Sequence, residues 1–227
     1  MEDLNRNFDI LLDKAKRLFE FSEVKFRQIT NTSKWGISLC ATPINPGKPV
    51  IMGINWAGAA STEIARYSFQ RRFPTKEEFL RDYHAGGYPF IQKSENLINE
   101  FLKIRIEDVE FNYTTVCLFR SPNISDLSIK EVRWCMTILR EFIELIDPPF
   151  ILSLGNTNIV FLEPDLRDLK KFTGPGSAHV GYSGLLWGHT FYSVPHPTAR
   201  KLNDDLRRKI WETVFNDRPG QDTNSII

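Results

Sequence analysis

The sequence is poor in cysteine and has no cysteine pair at a metal-binding spacing. Its three cysteines, Cys40, Cys117 and Cys135, are an odd number and stand far apart among 227 residues. A zinc or iron–sulfur site needs closer spacings such as C-x-x-C, and a secreted disulfide scaffold needs more cysteines. We therefore expect buried, reduced thiols in a cytoplasmic protein, without an iron–sulfur centre or a disulfide framework.

Long apolar runs and an excess of one charge are also missing. No run approaches the length of a membrane span, and the acidic start of the chain lacks the layout of a signal peptide. Lys and Arg total 29 against 28 Asp and Glu, a formal net charge of +1. The total charge thus indicates no polyanionic partner, although a local basic patch would leave this sum unchanged. We expect no association with membranes.

Several common catalytic motifs are absent. His84, His179 and His189 lie far apart, without the H-x-x-x-H or H-E-x-x-H spacing of a catalytic metal site. The sequence has no G-x-S-x-G nucleophile elbow, no G-x-G-x-x-G dinucleotide loop and no phosphate loop ending in Gly-Lys-Ser. We therefore expect neither a metal nor an organic cofactor.

The sequence does contain short apolar runs that alternate with helical patterns. Apolar runs bounded by turn residues are typical of strands buried on both faces, and they occur at residues 49–54, 113–119, 150–154 and 190–194. Helical spacing of apolar residues predicts helices at about 3–21, 76–83, 94–102, 128–146 and 203–215. We expect a single α/β domain over residues 1–227, with a mostly parallel central sheet, helices on both faces and a frayed tail from about residue 218.

The loops after these strands are where a site is expected, because ligands bind at the carboxyl ends of the strands in such sheets. The first loop begins with Gly53, Ile54 and Asn55. Glycine lets a ligand approach the backbone closely, and Asn55 offers an amide donor and a carbonyl acceptor. The same loop can also be a plain turn in which asparagine only tolerates the backbone angles.

The loop after the last strand is the second candidate. Prolines on both sides of His196 restrict the backbone and so hold the imidazole at low entropic cost. The hydroxyl of Thr198 follows, and Arg200 and Lys201 add positive charge just before a helix. The alternative is a histidine that is structural or merely solvated.

Two further segments are weaker candidates. Residues 86–90 are rich in glycine and end in Phe90, whose ring could cover a planar ligand or could instead anchor the turn in the core. Arg120 stands where the second apolar run ends, which places one cation at a strand exit.

Taken in chain order, these strand ends and loops resemble the motifs of the uracil-DNA glycosylase superfamily. Gly53-Ile54-Asn55 is similar to the opening of the first family motif, G-I-N-P-G in mismatch-specific and G-M-N-P-G in single-strand-selective members. Residues 87–90 resemble the element whose phenylalanine stacks on the flipped base, and His196-Pro197-Thr198 resembles the H-P-S motif. Residues 151–155 and 206–212 are similar to the third strand and the closing helix. The resemblance implies a four-stranded sheet in an α/β/α arrangement.

The sequence departs from the family pattern in the loop and the strand that would form the pocket. Trp56 stands where the family has proline, and the interval between the first motif and Phe90 is longer than usual. Thr114 or Thr115 occupies the position of the base-reading asparagine. Residues 44–47 also spell most of the first motif, but they precede the strand, and we interpret them as a turn.

The resemblance implies hydrolysis of the bond between base and sugar in a flipped nucleotide. Phe90 would stack on a uracil or related damaged base, His196 would donate a hydrogen bond to its 2-oxygen, and Asn55 would position the attacking water. The remaining residues of the base pocket would be Gly53, Ile54, Thr114 and Thr115.

The resemblance also implies a DNA partner, single- or double-stranded, for a monomer in the cytoplasm or nucleoid. The implied DNA contacts come from strand ends and from the approach to the last helix: Thr198, Arg200, Lys201, Leu202 and Arg120. Leu202 or Arg200 would fill the gap in the base stack. Two alternatives stay open: a weak or inactive relative that binds DNA or acts on another base, and a small-molecule α/β enzyme unrelated to DNA.

Overall fold

The computed structural model describes residues 2–30, 36–56, 72–121, 127–173, 180–199 and 202–216. Its helices are α1 (Glu2–Thr30), α2 (Lys76–His84), α3 (Pro89–Leu102), α4 (Ile129–Ile146), α5 (Thr157–Leu162) and α6 (Asp204–Asn216). Its strands are β1 (Gly36–Ile37), β2 (Val50–Trp56), β3 (Asn112–Arg120), β4 (Phe150–Leu154), β5 (Leu166–Thr173), β6 (Val180–Leu186) and β7 (His189–Val194). The chain is therefore of the α/β class, as predicted, and the expected tail from residue 218 lies outside the described residues.

The described strands form one seven-stranded sheet in the order β1-β3-β2-β4-β7-β6-β5. The four predicted apolar runs are the middle strands β3, β2, β4 and β7, and each pairs in parallel with its neighbour. β1 pairs antiparallel with β3, and the antiparallel β5–β6 hairpin extends the sheet beyond β7. The mostly parallel central sheet is confirmed, whereas the expected count of four strands is wrong.

The three additional strands lack the apolar runs that reveal a strand buried on both faces. β1 has only two residues, and β5 reads LRDLKKFT, with six of its eight residues exposed. β6 contains two glycines among its seven residues. Such strands are held by pairing with a neighbour rather than by an apolar pattern of their own, so the sequence gives little sign of them.

Alternate residues of β2 point to opposite faces of the sheet and enter separate cores. Val50 and Met52 belong to a core built with α1 and α4, whereas Ile51 belongs to a core built with α2, α3 and α6. Helices thus cover both faces, as the sequence predicts.

Capping boxes determine where two helices begin. The Oγ of Ser128 accepts the N–H of Glu131, and the Glu131 carboxylate accepts the N–H of Ser128, at the start of α4. Thr75 and Glu78 form the same arrangement at the start of α2. Each box satisfies two backbone donors that the helix itself cannot pair.

Two helices are longer than predicted. α3 begins at Pro89 rather than at residue 94, because proline is well suited to the first helical position. α1 continues past residue 21 to Thr30, beyond the apolar stripe from which it was predicted. None of the described helices combines the length and the apolar character needed to cross a membrane.

The turn before β2 fastens the amino end of the sheet. The Nδ2 of Asn45 donates to the carbonyl oxygens of Pro43, Val109 and Phe111 at 2.9–3.0 Å. The Asn112 side chain in turn accepts the Asn45 N–H and donates to the Asn45 carbonyl oxygen. Residues 44–47 therefore form a turn, as predicted, even though they resemble a family motif.

All three cysteines are buried free thiols, as expected. The sulfur atoms of Cys117 and Cys135 lie 3.8 Å apart. Burial raises the pKa of the Cys40 and Cys117 thiols above their ordinary values, so both are held in the unreactive thiol form.

Candidate active site

The parallel strands all end at one edge of the sheet, which we call the carboxyl edge. β2 ends there at Trp56, β4 at Leu154 and β7 at Val194, and Leu154 is paired directly with Val194. The loop that leaves β7 carries His196 and Thr198, whereas Gly53, Ile54 and Asn55, predicted to begin a loop, belong to β2 itself.

The loop after β7 is a tight turn that holds His196 half-buried. The Ala199 N–H donates to the His196 carbonyl oxygen at 2.8 Å and closes the turn. The guanidinium of Arg207, from α6, donates to the same oxygen at 3.2 Å and to the Leu202 carbonyl at 3.4 Å. The backbone of His196 is therefore held by the loop and by the last helix together.

Hydrogen bonds to the imidazole determine its tautomer. The backbone N–H of Thr198 points to His196 Nδ1 at 3.2 Å, and the Thr198 hydroxyl lies 2.8 Å from the same nitrogen. Because a backbone N–H can only donate, Nδ1 must be an acceptor, and the ring proton is assigned to Nε2. His196 thus presents an Nε2–H donor on the side away from Thr198.

The surroundings of His196 favour the neutral ring. Burial, followed by the positive charges of Arg207 and Lys93, lowers the pKa of His196 below its ordinary value. At neutral pH the imidazole is therefore an uncharged hydrogen-bond donor rather than a general acid. Lys93 was not among the residues predicted from the sequence, although its position one helical turn after Phe90 could have suggested it.

Phe90 lies directly against His196. The two ring centroids are 4.5 Å apart, and the ring planes meet at 72°. Phe90 reaches this position because Pro89 starts α3 and places the phenylalanine in its first turn. The structure thus brings together two predicted site residues that are far apart in the sequence.

The end of β4 approaches His196 so closely that any side chain there would press on the imidazole. Gly155 has a φ of +131°, and a Cβ built on it would lie 3.2 Å from His196 Cδ2. Its N–H donates to the Val194 carbonyl oxygen at 3.0 Å, which joins the ends of β4 and β7. Gly155 therefore allows the backbone of one strand end to support the imidazole carried by the next.

The end of β2 lies at the same edge, with β4 between it and β7. Two strand spacings, about 10 Å, separate the β2 and β7 backbones. Asn55 is paired with Cys117 in β3, but its side chain lies outside the described residues, as do Arg200 and Lys201. The predicted meeting of the Asn55 and His196 side chains in one pocket stays a prediction.

Trp56, which stands where the family has proline, is buried and belongs to β2 itself. Its indole N–H donates to the Ser38 carbonyl oxygen at 2.7 Å, and its ring packs edge-on against Tyr113. The indole therefore anchors the strand end next to Asn55.

Gly53, on the same strand, leaves room for neighbouring side chains of β3. A Cβ built on it would lie 3.3 Å from the Tyr113 hydroxyl and 3.4 Å from a Thr115 methyl.

The two threonines at the position of the base-reading asparagine are fully buried. The Thr114 hydroxyl donates to the Leu39 carbonyl oxygen at 2.7 Å, and the Thr115 hydroxyl donates to the Cys117 carbonyl oxygen at 2.8 Å. Their hydroxyl hydrogens are thus directed to the protein backbone, and neither side chain has surface open to a base in this structure.

Two predicted DNA contacts are buried, contrary to the expectation of an exposed rim. Arg120 is completely buried, at the end of a strand that has β1 on one side and β2 on the other. Leu202 packs into the core beside α6 rather than projecting from the surface. Thr198 is exposed, as expected.

Within the described ranges, no three or more His, Cys, Asp or Glu side chains are grouped so that they could hold a metal ion.

Comparison with known proteins gives one family. A sequence profile described as the Uracil DNA glycosylase superfamily matches residues 80–215, more than half of the chain. The matched range contains Phe90, Gly155 and His196 and begins after Asn55. A search of curated proteins finds no match. Since the profile covers the strands and helices that bring Phe90 and His196 together, the chain belongs to the uracil-DNA glycosylase superfamily.

Proposed function

We propose that the protein is a DNA glycosylase that hydrolyses the N-glycosidic bond of a flipped uracil or related damaged base. The observation that carries this proposal is the contact between Phe90 and a neutral His196 whose Nε2–H is available as a donor. A glycosylase needs a flat surface for the extruded base and a donor for the base as it leaves, and these two side chains supply both.

The chemistry follows from where charge develops. As the bond between C1′ of the sugar and N1 of the base breaks, the bonding electrons move onto the base and collect on its 2-oxygen. A preorganised Nε2–H donor on this oxygen stabilises the departing anion by several kcal/mol. Water forms the new bond to C1′ and releases a proton, and Asn55 is proposed to orient that water. An amide does not accept a full proton, so the sugar must already carry much positive charge in the transition state.

The charges around His196 suit a polyanionic substrate. Lys93 is exposed on α3, and Arg207 lies on α6 beside the His196 loop. The positive charge of Arg200 and Lys201, predicted from the sequence, would add to this surface. Such cations bind the phosphates that flank the flipped nucleotide and hold it in register.

The test is an excision assay with uracil in single-stranded and double-stranded oligonucleotides, comparing the wild type with His196→Gln and Phe90→Ala. Strand cleavage after alkali treatment of wild-type reactions supports the proposal. Absence of cleavage in both substrates and in matched oligonucleotides that carry related damaged bases, with protein that is folded by circular dichroism, refutes it.

Action on another base is the second candidate, and the two buried threonines favour it. Thr114 and Thr115 give their hydroxyl hydrogens to backbone carbonyls, whereas an asparagine would offer both a donor and an acceptor to uracil. A panel of oligonucleotides carrying other damaged bases tests this candidate. A preference for uracil over every other base in the panel would rule it out.

A further inference from the structure

The β5–β6 hairpin extends the sheet beyond the parallel strands and reaches the carboxyl edge. β6 runs antiparallel to β7, so Val180 at its start lies near the end of β7. β5 ends at Thr173, which is paired with Val180. This part of the hairpin is therefore a neighbour of the His196 loop.

The Asn156 side chain adds to the β6–β7 pairing a direct link between the hairpin and the candidate active site. The Nδ2 of Asn156 donates to the Val180 carbonyl oxygen at 2.5 Å, and its Oδ1 accepts the Ser193 hydroxyl at 2.9 Å. Asn156 directly follows Gly155, whose backbone lies against His196. The hairpin and the imidazole are thus held in a fixed relation.

The outer strand of the hairpin is basic and exposed. β5 has Arg167, Lys170 and Lys171 against the single acid Asp168, and all four are exposed. By comparison, the whole chain has nearly equal numbers of basic and acidic residues. β5 is therefore a local concentration of positive charge that the total conceals.

The register gives the distance from these lysines to the site. Lys171 is paired with Tyr182, and Tyr182 is paired with Ser193, three residues before His196. Two strand spacings across the sheet and three residues along it, about 10 Å each, place the Lys171 backbone roughly 14 Å from the His196 backbone in a straight line. At a rise of about 3.4 Å per nucleotide along the axis of a duplex, this distance corresponds to roughly four nucleotides.

We infer that β5 binds the backbone of the DNA strand that carries the flipped nucleotide, with Lys170 and Lys171, which project from opposite faces of this edge strand, contacting phosphates on its two sides about four nucleotides away. This inference rests on the proposed function, because the flipped nucleotide defines where the strand begins its path. The occupant is a nucleic-acid strand because β5 is positively charged and belongs to the hairpin that pairs with β7, the strand leading to His196.

The competing explanation is that the lysines only protect an exposed sheet edge from pairing with another chain. The two explanations predict different consequences when the lysine charges are removed. Loss of phosphate contacts weakens DNA binding in a salt-dependent way, whereas loss of edge protection leaves DNA binding intact and increases self-association.

The experiment measures binding of a labelled, uracil-free 20-nucleotide single strand over a range of salt concentrations. The double variant Lys170→Ala/Lys171→Ala is compared with Lys48→Ala. Lys48 lies at the amino end of the sheet, away from His196, and forms an exposed ion pair with Glu110. Each lost contact should reduce the slope of log K against log salt by about 0.7 and weaken binding roughly eightfold at 50 mM salt. Lys170→Arg/Lys171→Arg should restore binding.

An unchanged slope in the double alanine variant, equal to that of Lys48→Ala, overturns the inference. Excision by the wild-type protein is measured separately on a uracil-containing strand. An inactive wild-type protein that still shows the slope difference refutes the proposed activity while supporting the lysine contacts, so the two failures are distinguishable.

Discussion

Substitution of Gly155 by alanine should damage both the stability and the activity of the protein. Gly155 adopts a φ of +131° at the end of β4, and its missing side chain leaves room for the His196 ring. An alanine at such a backbone angle costs about 1–3 kcal/mol in strain. We therefore expect the free energy of unfolding to fall by about 2 kcal/mol in urea titrations.

The effect on activity follows from the contact with the imidazole. The new Cβ would lie 3.2 Å from His196 Cδ2, so the ring must move by a few tenths of an ångström. Displacement of a reacting group by 1 Å can cost about 100-fold in rate. A smaller shift of the His196 donor should therefore lower kcat for excision about tenfold, with little change in KM.

The matched control is Gly188→Ala in the turn between β6 and β7. Gly188 also has a positive φ, +89°, but a Cβ built on it meets no atom within 4 Å, and it lies at the edge opposite His196. Both variants should lose stability, and only Gly155→Ala should lose turnover when rates are measured on folded protein. Equal kcat values in the two variants would show that the Gly155 contact does not hold the imidazole in place.

Three further results are expected. His196→Gln should lower kcat about 100-fold or more, since it displaces a preorganised donor, while DNA binding in anisotropy titrations stays within twofold. Folding lowers the pKa of His196, so the folded protein binds the imidazole proton less tightly than the unfolded chain does. The stability that the neutral imidazole contributes is therefore present above the ordinary pKa of 6.5 and is lost as the pH falls through the folded pKa. In urea titrations, acid should destabilise the wild type more than His196→Gln. Trp56→Phe removes the indole donor to Ser38 and should cost about 1 kcal/mol in urea unfolding, whereas a loss below 0.3 kcal/mol would contradict an anchoring role.

The central strands could be predicted from the sequence because each satisfies one simple physical condition. A strand covered by helices on both faces must be apolar throughout, and β2, β3, β4 and β7 all show such runs. β5 is different: six of its eight residues are exposed, and its strand conformation depends on pairing with β6. Such pairing is a long-range property that the local pattern LRDLKKFT does not contain.

In the candidate site, too, residues marked by local signals could be predicted, whereas their contacts in three dimensions could not. His196 could be identified because the prolines around it and the preceding strand are local signals. Its contact with Phe90 depends on the position of α3 in three dimensions, which the sequence supplied only through the family resemblance. Arg120 shows the limit of reasoning from strand ends: a cation at a strand exit looks exposed until its tertiary packing is known, and here its side chain has no exposed surface.

The three buried thiols have a practical consequence for studying this protein in solution. Cys40, Cys117 and Cys135 are all enclosed by the core, so maleimide reagents should leave the folded chain unmodified. A cysteine introduced at an exposed position such as Thr173 would then be the single reactive group. A fluorophore attached there would report the arrival of a DNA strand at the hairpin in real time, without removal of the natural cysteines.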